Sequence, residues 1–201
     1  MTIIHDTIAF DEATHTYRVR GQIVPGVTSI LQPLVDFSGI PRAVLAAKAD
    51  LGTRVHLACE LDDQDDLDEA SVEDDVAPYL AAYRRFRAEV RPEILLNEHR
   101  VYHKTWNYCG TLDRVMRIQG LTYVVDLKTC FTTPMSAGPQ TSAYARAVEA
   151  AKLMDIHKRA ALRLRPDGTY RLDTLDHAND WSVFLACLTL RSFMENHRND
   201  D

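Results

Sequence analysis

Apolar and polar positions alternate over two neighbouring stretches near the middle of the chain, Thr111 to Ile118 and Leu121 to Leu127, on either side of Gln119-Gly120. The first sets Leu112, Val115 and Ile118 loosely against Asp113, Arg114 and Arg117; the second is rich in β-branched and aromatic residues. Two such runs around a Gly-containing turn predict an antiparallel hairpin. Upstream, Ile94 to Tyr102 reads as a third strand carrying Glu98, and His103 to Tyr108 as the turn into the hairpin. Near the N-terminus, runs at Ile8 to Phe10, Thr16 to Val19 and up to Val24 predict a hairpin or meander. Pro25-Gly26 breaks it, and Thr28 is placed to cap a short helical turn through Leu31.

Helical periodicity fills the rest. From Pro41 the chain is rich in alanine and leucine, with Gly52 expected to interrupt the helix. Val76 to Arg91 predicts an amphipathic helix with Tyr79, Leu80, Tyr83 and Phe86 buried and Arg84, Arg85, Arg87 and Arg91 on a solvated face. After a loop with two prolines come a helix from about Gln140 to Met154, a strand from Lys158 to Leu164, a Pro166-Asp167-Gly168 turn, a strand from Tyr170 to Leu175 and a helix from Asn179 to Asn196. The expected class is α/β, of the α+β kind. Residues 1–35 form an N-terminal β-hairpin appendage and residues 36–201 the main domain, in one globular unit.

Composition narrows the function little. With 46% hydrophobic residues among 201, the chain suits one domain with an ample core. A formal net charge of -6 argues against a nucleic-acid coat protein, although an enzyme that holds metal ions can be acidic overall. Cys59, Cys109, Cys130 and Cys187 form no CxxC pair, so they read as reduced thiols and offer neither a zinc knuckle nor an iron-sulfur cluster. Neither a signal peptide nor a bilayer-length apolar run is apparent, which predicts a cytoplasmic protein with no membrane partner. The acidic stretch from Asp62 to Asp75 reads as a solvated loop, away from any polyanion.

Candidate chemistry centres on the hairpin. Successive strand residues face opposite ways, so Asp126 and Lys128 share a face and Leu127 does not. A buried strand running into two charges places them where a cleft opens, and Asp113 on the neighbouring strand can approach the same point. Two close carboxylates repel unless a cation lies between them, a role for a hard divalent ion. A solvated Asp/Lys pair on a surface hairpin is the alternative. His56 and Glu60, four apart, lie one helical turn above each other, where they suit either metal ligation or a satisfied core histidine.

The order His56, Asp113 within Gly-Thr-Leu-Asp, Asp126-Leu127-Lys128-Thr129, then Gln140-x-x-x-Tyr144 resembles the PD-(D/E)XK nuclease superfamily, RecB-like branch, over roughly residues 52–150. The N-terminal FDxxxHxYxxxGxxVPGVTxIL and the later RLRPDGTYRL look like segments of phage-encoded nucleases of this kind. One departure is Leu112 in place of the proline before the first aspartate, although the RecB-like branch commonly has Gly-x-x-Asp there. The resemblance implies a small mixed sheet flanked by helices, in helix-strand-strand-strand-helix-strand order. It also implies that Asp113, Asp126 and the Leu127 backbone carbonyl bind one or two Mg²⁺ or Mn²⁺ ions, with His56 as an additional ligand. Lys128 would position the attacking water and stabilise negative charge, while Gln140 and Tyr144 would face the site, steadying Lys128 or touching the DNA backbone. Glu60 and Glu98 match less specific acidic positions. The implied substrate is DNA, the favoured version a ring-forming homo-oligomeric exonuclease of phage-type recombination with a single-strand annealing protein as partner. A structure-specific or single-strand endonuclease, an inactive DNA-binding module and a hydrolase of smaller substrates are the competing readings. Asp113→Ala is expected to abolish cleavage while leaving the fold intact.

Overall fold

A computed structural model describes residues 7–198, so residues 1–6 of the expected N-terminal appendage and 199–201 of the expected main domain lie outside the described residues. Strands β1 (Ile8–Asp11), β2 (Thr16–Val19) and β3 (Gln22–Val24) form an antiparallel meander. The β2–β3 turn, Arg20-Gly21, has φ positive at both residues (52° and 81°), as tight hairpins favour. Helix α1 (Val27–Ile30) follows Gly26, and Thr28 lies inside it; no side chain caps its start. Tertiary pairing sets that start, since Gly26 bridges to Cys109 and the Cys109 N–H donates to the Pro25 carbonyl at 2.9 Å. Val27, Ile30 and Leu31 then join the main core.

Helix α2 (Arg42–Asp63) runs unbroken through Gly52. An interior glycine costs about 1 kcal/mol, and burial of Val55, Ala58 and Cys59 in the core outweighs it. The expected interruption is thereby overruled. Helix α3 (Ala77–Val90) buries the four predicted residues and ends on Arg91 in a left-handed conformation before Pro92.

The main sheet holds β4 (Glu93–His103), β5 (Tyr108–Ile118), β6 (Leu121–Lys128), β7 (Lys158–Leu164) and β8 (Tyr170–Thr174), in that spatial order. All neighbours are antiparallel except β6 and β7. A parallel pair needs a crossover, which α4 (Ala137–Ala150) supplies; it starts and stops earlier than its predicted range. Helix α5 (Asp180–Arg198) packs beside α4. One apolar cluster joins α1, α4 and α5 to Leu112, Val115 and Val124; another joins α2 and α3 to Met116, Val125, Leu127 and Leu162. The protein is therefore mixed α/β, its five-stranded sheet covered on both faces. No described helix is long and apolar enough to cross a membrane.

Candidate metal centre

The sheet opens at Asp113. Pairing of β5 with β6 ends at Arg114–Val125, and the β4–β5 register passes from Asn97–Arg114 to His99–Leu112, leaving Glu98 and Asp113 without Cα partners. Glu98 is itself left-handed, with φ 43°. In place of a ladder bond, Asp113 Oδ2 accepts the Leu127 N–H at 2.6 Å. Asp113 is thus a buried mid-strand residue that ties β6 to β5 where the two part. Its replacement by alanine loses a backbone tie as well as a carboxylate, so the expectation of an undisturbed fold does not hold.

Helix α2 brings His56 across β6. Its Nε2 lies 3.1 Å from the Leu127 carbonyl oxygen. A carbonyl only accepts, so Nε2 carries the proton and Nδ1 is turned toward Asp113 Oδ2 (3.7 Å) and Glu98 Oε1 (3.9 Å). These spacings are too long for hydrogen bonds. They suit groups arranged around one ion, and the three ligand atoms lie within 4.8 Å of one another. A histidine held through its other nitrogen by a backbone carbonyl is a common arrangement at metals. The Leu127 carbonyl, expected as a ligand, therefore serves His56.

Asp126 and Lys128 sit alongside this cluster. Lys128 Nζ is 2.7 Å from Asp126 Oδ2, and the Asp126 side chain is 1% exposed. Neither Asp126 oxygen has a hydrogen-bond partner of good alignment among the described residues. Burial raises the Asp126 pKa, opposed by the Lys128 charge. Burial works against the Lys128 ammonium too, yet the charges of Asp126 and Asp113 outweigh it and leave its pKa raised. A buried carboxylate with orphaned oxygens, beside a nitrogen and two more carboxylates, is a donor set that fits a hard divalent cation.

Gln140 and Tyr144 share one face of α4, both buried. Burial and then the Asp113 charge push the Tyr144 phenol up, so it remains a proton donor, with Gln140 as its side-chain neighbour. Gly110 makes room for its ring: a Cβ there would lie 2.5 Å from Tyr144 Cε1 and 3.1 Å from Val27. Their burial places both residues behind the site, out of reach of a DNA backbone. Glu60 falls outside the cluster and accepts from Gln64 at 3.3 Å, although its charge acts on Glu98.

Glu98, by contrast, belongs to the cluster. Burial first, and the Asp113 charge second, push its pKa from 4.5 to about 8. Between those values the folded protein keeps a proton that the unfolded chain has released, so its stability falls as pH rises through that window. Thermal melts in EDTA are expected to show this decline from about pH 5 to about pH 8. Because a metal needs the ionised carboxylate, Mg²⁺ should raise the melting temperature more at the alkaline end. A flat profile in EDTA would remove Glu98 as the titrating group.

Arg114 is the residue that pattern reading places on the surface and the fold buries completely. Its Nε donates to Asp63 Oδ2 at 2.7 Å, and its Nη1 to Glu98 Oε1 at 3.0 Å and to the Asp113 carbonyl at 2.7 Å. Tyr83 donates to the same Asp63 at 2.7 Å. A signal was present in the strand parity, because Leu112, Arg114, Met116 and Ile118 are related by twos and the last three share a face with the α2–α3 core. The same network corrects the reading of the acidic stretch. Arg84 pairs with Asp62 and Glu69, Arg87 with Asp62 and Asp63, and Arg54 with Glu73 and Asp75. These acids and arginines neutralise one another between α2, α3 and the loop joining them, so Arg84 and Arg87 do not form a free phosphate-binding face.

All four cysteines are free thiols, three of them buried. Compared with known proteins, the chain matches no family model and none of the curated sequences.

Proposed function

We propose that this protein is a Mg²⁺- or Mn²⁺-dependent deoxyribonuclease with a PD-(D/E)XK core of the RecB-like kind. The observation that carries the reading is the convergence of His56, Glu98 and Asp113 beside the buried Asp126–Lys128 pair, at the point where the central strands separate. The element order α3, β4, β5, β6, α4, β7 supports it, since it is the order expected for that core.

His56, Glu98, Asp113 and Asp126 would hold the ion. When bound, it supplies Lewis acidity, offsetting negative charge on the attacking and leaving oxygens of a phosphodiester. Lys128 keeps its proton beside Asp126 and presents a fixed positive charge to the anionic phosphorus centre, where the barrier is largely electrostatic. Arg114 holds Glu98 from behind. The His56 contact to the Leu127 carbonyl fixes the imidazole tautomer. An exonuclease of DNA recombination, acting as a homo-oligomer with a single-strand annealing partner, is the version we favour within this class.

Incubation of the purified chain with linear and closed-circular DNA, single- and double-stranded, with Mg²⁺, Mn²⁺ or EDTA, tests the reading beside Lys128→Ala. Metal-dependent loss of linear DNA alone, absent in the variant, supports the exonuclease. Cleavage of circles makes the protein an endonuclease. No cleavage under any condition overturns the nuclease reading. Mg²⁺ at about a hundred times its Kd is also expected to stabilise the fold by about 2.7 kcal/mol, seen as a rise in Tm without DNA.

A further inference from the structure

Three residues beyond Lys128, Phe131 projects from the loop between β6 and α4 with 71% of its surface exposed. An exposed phenylalanine on a loose loop would mean little, but this loop is pinned. The Phe131 carbonyl accepts from Arg163 Nη1. Arg163 is buried and donates through Nε to Asp173 Oδ2 at 2.6 Å. Thr133, two residues further along the loop, donates to the same oxygen at 2.6 Å. The backbone is therefore fixed on both sides of a ring that faces outward.

The parallel pairing of β6 and β7 fixes where that ring lies. Lys128 stands opposite Arg163, so both chains leave the sheet at the same edge, Phe131 on one and Arg165 on the other. The Arg165 guanidinium lies over the Phe131 ring, 5.8 Å from its centroid. Its Nε is buried with no hydrogen-bond partner. Asp167 is the acid facing it across the turn, and that carboxylate accepts from the Thr169 N–H and hydroxyl at 2.9 and 2.6 Å. One face of an aromatic ring thus carries a cation with spare donors, while the ring itself stands in solvent beside the reacting edge.

Resting on the nuclease reading above, we propose that Phe131 and Arg165 form the subsite for the nucleotide next to the scissile phosphate, and that the substrate there is unpaired. The Phe131 ring stacks on a nucleobase, and Arg165 pairs with that nucleotide's phosphate. Exposed aromatics that stack bases, with arginine beside them, are how single-stranded nucleic acid is held without reading its sequence. A paired base has both faces covered by its neighbours and cannot offer one to Phe131. The substrate class is DNA with a single-stranded end or segment.

The test compares wild type, Phe131→Ala, Phe131→Trp and Arg165→Ala, using single-stranded and blunt duplex oligonucleotides that carry 2-aminopurine. In EDTA, Phe131→Ala is expected to weaken single-strand binding by about tenfold or more, with Phe131→Trp restoring it and duplex binding nearly unchanged. The 2-aminopurine fluorescence should be quenched by wild type and stay bright with Phe131→Ala. With metal, KM for single strands should rise while kcat is kept. If wild type cleaves DNA and Phe131→Ala binds and cleaves single strands equally well, the subsite is overturned and the nuclease reading stands. Equal weakening on duplex and single strands overturns the preference for unpaired DNA. If wild type neither binds nor cleaves any DNA, the nuclease reading falls and the subsite falls with it.

Discussion

Replacing Asp126 and Lys128 together, by asparagine and methionine, is expected to lower metal-dependent cleavage at least about a thousandfold while the metal-free protein melts no lower than wild type. The two halves of this result have one cause. The Asp126 carboxylate is buried with poorly satisfied oxygens, and Lys128 is its counter-charge at 2.7 Å. Exchanging a buried ion pair for neutral groups of similar shape is often neutral or stabilising by about 1–4 kcal/mol. Removing one partner is different, because Asp126→Asn alone strands the ammonium and Lys128→Met alone strands the carboxylate. Either single variant should therefore melt below the double variant. Single-turnover cleavage with Mg²⁺ and thermal melts in EDTA measure both quantities. Wild-type cleavage by the double variant would remove the pair from the reaction, and a melting temperature lowered below that of either single variant would show that the pair holds the fold.

Arg114→Leu should unfold the protein more readily than any other single change at the site. Asp63 and Glu98 both depend on its guanidinium, and Asp63 is as deeply buried as Arg114 itself. Breaking a buried pair from one side costs about 3–5 kcal/mol, which for a chain of this length corresponds to a drop in Tm of roughly 10 °C. Urea denaturation of the metal-free protein gives the number directly. Adding Asp63→Leu to Arg114→Leu removes the stranded carboxylate and should recover part of the loss, the coupling expected of residues in contact. If the two losses simply add, the network does not act as a unit.

Strand alternation was enough to place Asp126 and Lys128 on one face, and the Gln119-Gly120 turn was enough to bring Asp113 near them. Both signals are local. The failures were all decided by tertiary contacts. Gly52 weakens a helix in isolation, yet α2 continues because its second half docks on the core. Arg84 and Arg87 look like a solvated basic face until α2 supplies Asp62 and Asp63. Asp113 was taken for a strand-end residue because alternation does not reveal where a ladder opens, and the opening depends on the distorted backbone at Glu98. Glu60 and Glu98 were indistinguishable as lone acids in the sequence. Only the packing of α2 against β4 turns one toward His56 and leaves the other with Gln64.

The left-handed backbone at Glu98 also sets stability and activity against each other during any directed search for sturdier variants. A non-glycine residue held at φ 43° costs on the order of 1–3 kcal/mol, and glycine adopts that conformation without steric penalty. Selection for heat resistance alone would favour Glu98→Gly there, with a desolvated carboxylate removed in the same exchange. Variants chosen that way would keep their shape and lose their grip on divalent ions, so a screen of this protein has to score metal retention alongside melting temperature.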